Sequence, residues 1–253
     1  MSGEDVRQFF TRHAGDYRTS ASHAAGTDLD LLIELSQPRP DDRLIDVAAG
    51  TGHTALRLRP LVASALLVDL TPAMLEEARA LAAEQGLLVE TMVADAAAIA
   101  RPDGAFTLLT CRRAAHHFLD LPAFLAEAHR LLAPGGRLAL ADMTAEEAGI
   151  DLLNRLERMR DRSHVAALSP EAWRGLLIGH GFTAPRLALQ EEPYSLQRWL
   201  SPTGPGEVDM PAIEASLAEA SEGERRALGL RHGPEGWQLT KRRLVLVAER
   251  AAG

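Results

Sequence analysis

A chain of 253 residues is long enough to bury a sizeable core in one α/β domain. Its 27 Lys plus Arg against 35 Asp plus Glu give a net charge of -8, which repels phosphate backbones and anionic bilayers and argues against nucleic acid as a substrate or partner. The apolar run 63–68 is far too short to span a membrane, the polar N-terminus lacks a signal peptide's apolar core, and the single cysteine, Cys111, excludes an intrachain disulfide, so the expectation is a cytoplasmic protein without membrane insertion.

At the N-terminus, Val6, Phe9, Phe10, His13 and Tyr17 have helical spacing, and residues 1–35 are expected to form helices that fold as a lid over the mouth of a sheet. Five short apolar runs follow, at 43–48, 65–69, 88–94, 106–111 and 137–141. They are near-continuously apolar, as strands buried on both faces are. Between them Thr71 and Pro72 supply an N-cap and a first-turn proline for a helix over 73–85. Asp120-Leu121-Pro122 opens another, which stops at Pro134-Gly135-Gly136. Strands alternating with helices imply right-handed βαβ crossovers and a doubly wound parallel sheet. Ser169-Pro170 starts a further helix over 171–180, ended by Gly181, ahead of a sixth strand near 186–190. A seventh strand, 243–249, comes only after roughly fifty residues that include Pro193, Pro202, Pro205 and Pro211, too many for an ordinary connection. Residues 191–240 are therefore expected to form a cap insertion in a single domain whose core is 41–190 and 241–250.

The strongest local motif is Asp46-Val47-Ala48-Ala49-Gly50-Thr51-Gly52, where a buried strand ends in small residues and a helix begins. Glycine permits unusual backbone angles and close ligand approach, and the helix start offers unpaired N–H groups and a positive dipole to an anion. Gly50-x-Gly52-x-x-Ala55 also fits the dinucleotide fingerprint, with Asp69 ending the second strand where a ribose ligand stands. The loop alone does not decide between a dinucleotide and another ligand with an anionic group and a ribose.

The wider pattern resembles class I S-adenosylmethionine-dependent methyltransferases, in the branch similar to ubiquinone and menaquinone C-methyltransferases, from about Phe9 to Glu249. The segments Gly52-His53-Thr54-Ala55-Leu56, 110–118 and 158–165 carry the likeness further. The resemblance implies a Rossmann-like seven-stranded sheet with an antiparallel last strand. It implies that Asp46, Gly50 and Gly52 hold the methionine portion of the cofactor, that Asp69 takes the ribose hydroxyls and that Asp95-Ala96 lies beside adenine. Ala48, Ala49, Leu70 and Met74 are expected beside them, and Tyr17 matches the lid aromatic that covers the cofactor. Ala48 stands where many members carry glycine. The implied activity is methyl transfer from S-adenosyl-L-methionine to a small-molecule acceptor, leaving S-adenosyl-L-homocysteine. A nicotinamide-dependent oxidoreductase, or a cofactor-binding protein with a regulatory or non-methylating role, is the alternative.

Methyl transfer requires in-line approach of a nucleophile, and a base only where that nucleophile is protonated. The fourth strand ends in Cys111-Arg112-Arg113 and directs Ala114-Ala115-His116-His117 at the ligand crevice. Imidazole titrates near neutrality, so His116, His117 or His164 can serve as base. Adjacent residues face different ways, and His116 is the preferred one of the pair, His117 being also suited to packing the next helix. Arg112 is suited either to a carboxylate of cofactor or substrate or to a structural ion pair. No HExxH or CxxC spacing is present, and no metal is expected. A homodimer through an exposed cap face stays open beside a monomer.

Overall fold

The computed structural model describes residues 24–201 and 208–251, with Thr11, Gly15 and Arg18 ahead of them. Tyr17, expected in the lid, lies outside the described residues, as do His13 and His23.

The apolar runs form five parallel strands: β1 (Arg43–Val47), β2 (Ser64–Asp69), β3 (Glu90–Val93), β4 (Phe106–Arg112) and β5 (Leu132–Thr144). Two long strands complete the sheet, β6 (Arg186–Ser195) and β8 (Gly236–Glu249), with a short β7 (Arg231–Gly233) hairpinned onto β8. The order is β3-β2-β1-β4-β5-β8-β6, and β8 runs antiparallel to both β5 and β6. The expected seven strands thus become eight. β7 is fully exposed and has no apolar alternation to announce it.

Helices cover both faces. α1 (Thr27–Ser36), α2 (His53–Leu58) and α3 (Pro72–Glu84) lie on one side, where Leu32, Ala55, Leu75 and Ala78 pack on Leu44, Leu67, Leu108, Ala139 and Val245. α4 (Leu121–Leu131) and α6 (Pro170–Gly179) cover the other, where Phe124 and Trp173 meet Ile45, Val47, Leu109, Leu138 and Leu140. Period-two alternation sends neighbouring strand residues to opposite cores. Asp120 and Ser169 cap α4 and α6 through Ala123 N (2.9 Å) and Ala172 N (3.2 Å). Thr71 caps α3 only by position, because its side chain makes no cap hydrogen bond and its own amide is donated to Asp69.

β6 and β8 run on into the segment expected to be cap, since their outer halves carry polar residues that break the apolar signal. Between and beside them α5 (Glu147–Arg160), α7 (Leu196–Leu200), α8 (Met210–Ala218) and α9 (Glu222–Leu228) enclose a third apolar cluster around Leu152, Leu156, Trp199, Ile213, Leu217 and Leu239. None of the described helices is long and apolar enough to cross a membrane.

The turn from β1 to α2 is held by close packing. Gly52 has φ +84°, and a Cβ there would meet Leu67 Cδ2 at 2.8 Å and Ala78 Cβ at 3.1 Å. Gly52→Ala is therefore expected to cost roughly 2 kcal/mol of stability, from left-handed strain plus overpacking. Chemical denaturation checks this, and a change under about 0.5 kcal/mol would contradict it.

Candidate active site

The strand order reverses direction between β1 and β4, and ligands of open α/β sheets bind in the crevice outside the carboxyl ends of such strands. A cavity of about 510 Å³ opens there. It is walled by the β1–α2 turn from Ala48 to Thr51, the end of β2 at Asp69 and Leu70, the residues 94–98 after β3, and the segment 112–114 after β4. Met74, His117, Phe118 and Phe124 close its sides. Of the expected site residues, Ala48, Ala49, Gly50, Asp69, Leu70, Met74, Asp95, Ala96, Arg112 and His117 line it; Asp46, Gly52, His116 and His164 do not.

The turn owes its shape to alternate left-handed residues, Ala48 (φ +54°), Gly50 (φ +54°) and Gly52. Alanine pays about 1 kcal/mol for this conformation, where glycine is unstrained. Asp69 ties the turn to β2: its Oδ2 accepts from Gly50 N and its Oδ1 from Thr71 N, both at 2.8 Å. Burial raises its pKa, which reflects a carboxylate set in a largely apolar hollow. Asp95 is exposed, its Oδ1 accepting from Ala97 N at 2.8 Å, so it braces the turn that forms the adjoining wall.

Asp46 sits beneath the turn, 1% exposed. Thr110 Oγ1 donates to its Oδ1 at 2.6 Å, while Oδ2 is buried without a partner in hydrogen-bonding geometry among the described residues. Burial pushes its pKa up to about 7, against the pull of Thr110, the Ala55 amide and Arg112. The raised folded value means that the unfolded chain releases its proton first as pH rises. Asp46 therefore makes the protein progressively less stable between about pH 4 and about pH 7. Asp46→Asn is expected to remove this slope and, above about pH 7, to gain on the order of 4 kcal/mol relative to the parent's loss. Urea midpoints at acid and alkaline pH test it; parallel pH curves for the two proteins would contradict it.

Of the two roles open to Arg112, the ion pair is the one formed. Arg112 Nε and Nη2 donate to Asp28 Oδ2 (2.8 Å) and Oδ1 (3.0 Å), and Arg113 Nε and Nη2 reach the same oxygens at 2.8 and 2.6 Å. Arg113, at φ +56°, turns the backbone so that both forks meet the carboxylate near the start of α1.

The histidines separate into distinct settings. His116 is buried, its Nδ1 2.5 Å from Asp142 Oδ1 and its amide donated to Asp142 Oδ2. The preferred base is thus withdrawn from the cavity wall, because the short helical turn over Ala115–His117 points it back at β5. His117 takes its place. Its Nδ1 lies 3.0 Å from Ser163 Oγ, whose own hydroxyl is donated to Asp161 Oδ1 at 2.6 Å. That chain assigns the Nδ1–H tautomer and leaves the lone pair on Nε2. Burial, then the neighbouring His116, lower the His117 pKa to about 3, so the ring is neutral at physiological pH. His164 is buried behind them, its Nε2 2.7 Å from Asn154 Oδ1, and burial and His116 lower its pKa to about 4. It holds the loop after α5 in place and does not reach the cavity. Among the described residues no cluster of His, Cys, Asp and Glu has metal-holding geometry.

Three features were not singled out from sequence. Asp142 stands two residues before the end of β5 as an acid that closes an apolar run, the same signal that marked Asp69. Ser163 and Asp161 had no signal apart from the segment that holds them. Arg113 was legible only as the neighbour of Arg112.

Comparison with known proteins agrees with this arrangement. The methyltransferase-domain family model matches residues 45–140, which contain the end of β1, all of β2 to β4, most of β5 and the crevice. An uncharacterized methyltransferase of Bacillus subtilis, YcgJ, is 37% identical over 196 residues, covering 76% of this chain and 74% of that protein. The demethylmenaquinone methyltransferase of Thermus thermophilus is 38% identical over 119 residues, 46% of this chain and 54% of that one. The crystal structure of Bacillus subtilis YcgJ superposes with a TM-score of 0.82 at 28% identity over 90% of this chain and 99% of that chain. A putative methyltransferase from Bacillus halodurans gives 0.82 at 27% identity over 90% of this chain and 100% of its own.

Proposed function

The chain belongs to the methyltransferase-domain family, and we propose that it transfers the methyl group of S-adenosyl-L-methionine directly to a small-molecule acceptor in the cytoplasm. The observation that carries this reading is the Asp69 carboxylate at the cavity wall, braced by the amides of Gly50 and Thr71 and set to accept from a pair of ribose hydroxyls. The rest of the cavity fits the same ligand. A Cβ at Gly50 would have open space around it, so the turn leaves room for a ligand at its backbone. Leu70, Met74 and the alanines 94 and 96–98 make an apolar slot of the kind that accepts a flat base. β8, inserted antiparallel between β5 and β6, departs from the all-parallel dinucleotide order and weighs against the nicotinamide alternative.

When bound, the cofactor supplies an electrophilic methyl. The residues of this chain position the acceptor and exclude water. His117, neutral and fixed by Ser163, accepts a hydrogen bond at Nε2 and orients the acceptor; Phe118 and Leu119 shield the same wall. His117→Ala is expected to lower turnover about tenfold with donor affinity nearly unchanged. Because its pKa lies far below the ordinary value, His117 contributes no inflection between about pH 5 and about pH 8. A steady-state pH profile of parent and variant reads both, and unchanged turnover removes His117 from the site.

The reading as a whole is tested by incubating the protein with methyl-labelled S-adenosylmethionine and a metabolite extract. Label in a small product is the expected result. Tight donor binding with no product across varied extracts contradicts it.

A further inference from the structure

We propose that the methyl acceptor carries an anionic group, a carboxylate or a phosphate, and that Lys241 and Arg243 of β8 hold it. The proposal rests on the methyltransferase reading for the word acceptor, and on the following geometry for the anion.

Lys241 is the only lysine in the chain, beside 26 arginines. It occupies the same face of β8 as Arg243, two residues away. Arg243 is 7% exposed and Lys241 partly buried. Arg243 pairs in register with Met143 of β5, and two residues back the carbonyl of Ala141 accepts the amide of the cavity-lining Arg113. A cationic strip therefore runs from Arg113, at the cavity wall, to Arg243 and Lys241, which lie beyond the residues that line the cavity. The three are close enough that Arg113 lowers the pKa of both others.

The acids that face this strip are engaged elsewhere. Asp28 is taken by Arg112 and Arg113. Glu157 of α5 is bound by Arg160 at 2.5 Å and by Trp199 Nε1 at 3.1 Å. Glu192, directly opposite Lys241 on β6, lies 2.5 Å from Arg198 instead. Among the described residues neither Lys241 nor Arg243 has a carboxylate within ion-pairing distance. Lys241 Nζ instead lies 5.4 Å from the centroid of the Tyr194 ring, with the Tyr194 hydroxyl beside Arg243. Two adjacent, largely buried cations whose nearby acids, Glu157 and Asp28, are already engaged by other guanidiniums are costly for folding alone, and an oxyanion between them offsets that cost.

The choice of lysine fits a site that is filled and emptied. Arginine stays charged at any accessible pH, whereas lysine can release its proton when no anion is present. Burial, then Arg243, bring Lys241 down to about 7. An arriving oxyanion restores the proton and gains a charge-assisted bond to each side chain.

One lysine means one lysine side-chain NMR signal. The full chain, labelled with 13C,15N-lysine and saturated with S-adenosylhomocysteine, is titrated with pH in chloride, phosphate and malonate at matched ionic strength. Proton affinity at Lys241 is expected to rise at least about tenfold in phosphate, malonate or both relative to chloride. The responding anion identifies the group. Arg243→Met is expected to raise it already in chloride and to abolish the anion-specific rise. The same Lys241 pKa in all three salts, or an anion response that survives Arg243→Met, overturns the proposal. Heats of S-adenosylhomocysteine binding are recorded on the same samples, so a failure of the donor assignment is seen separately from the lysine response.

Discussion

Replacing Asp69 by alanine is expected to weaken S-adenosylhomocysteine binding roughly 100-fold or more, from the loss of two charge-assisted hydrogen bonds to ribose hydroxyls. Stability should change little by comparison. The carboxylate braces Gly50 and Thr71, but burial makes its charged form costly, and the two effects oppose each other. Asp69→Asn keeps one acceptor oxygen and is expected to fall between, about tenfold weaker than the parent. Calorimetry on the three proteins, with thermal unfolding as the control for folding, reads the series. Equal affinity in Asp69→Ala removes Asp69 from the cofactor site.

The second large effect concerns stability. Asp28 is fully buried and accepts four hydrogen bonds from Arg112 and Arg113. Truncating one member of such a cluster leaves buried charge behind, which is worth more than the pair's net contribution. Asp28→Ala is therefore expected to destabilise the protein by about 3–5 kcal/mol in urea unfolding. A loss under about 1 kcal/mol would show that the guanidiniums reach water once released. The pH dependence has a definite sign. Burial alone raises the Asp28 pKa, but Arg113 and Arg112 more than reverse this and hold it well below the usual carboxylate range. The unfolded chain then takes up the proton first, so this stabilisation is complete above about pH 4 and drains away as pH falls further. In Asp28→Ala that part of the acid limb disappears. The same contact joins the start of α1 to the end of β4, so donor affinity falls with it as the 112–114 wall loosens.

The parallel core was legible because strands buried on both faces leave unbroken apolar runs: 43–48, 65–69 and 106–111 become β1, β2 and β4 almost residue for residue, whereas β3 is shorter than 88–94 and only half-buried, and β5 extends beyond 137–141 at both ends, to Leu132 and Thr144. β6 and β8 were legible only in their inner halves. Beyond Gln190 and before Arg243 one face of each strand carries Glu192, Tyr194 and Lys241, and no periodic apolar signal survives there. The acids at strand ends pointed correctly to a crevice. Which side chains turn into it was another matter, because that depends on single backbone angles. His116 and His117 differ by one position on a short helical turn, and that position decides between Asp142 and the cavity. Arg112 met its partner 84 residues away in sequence, a contact no local pattern announces. Ala48 adopts a left-handed angle, a strain that glycine at the same position would not carry and that no local sequence pattern announces.

The most direct test of the donor assignment is a pair of calorimetric titrations of the purified chain, one with S-adenosylhomocysteine and one with NADH. A crevice built around Asp69 and the 48–52 turn, beside an antiparallel β8, predicts saturable binding of S-adenosylhomocysteine and no heat from NADH. Binding of NADH with none of S-adenosylhomocysteine would contradict the account at its centre.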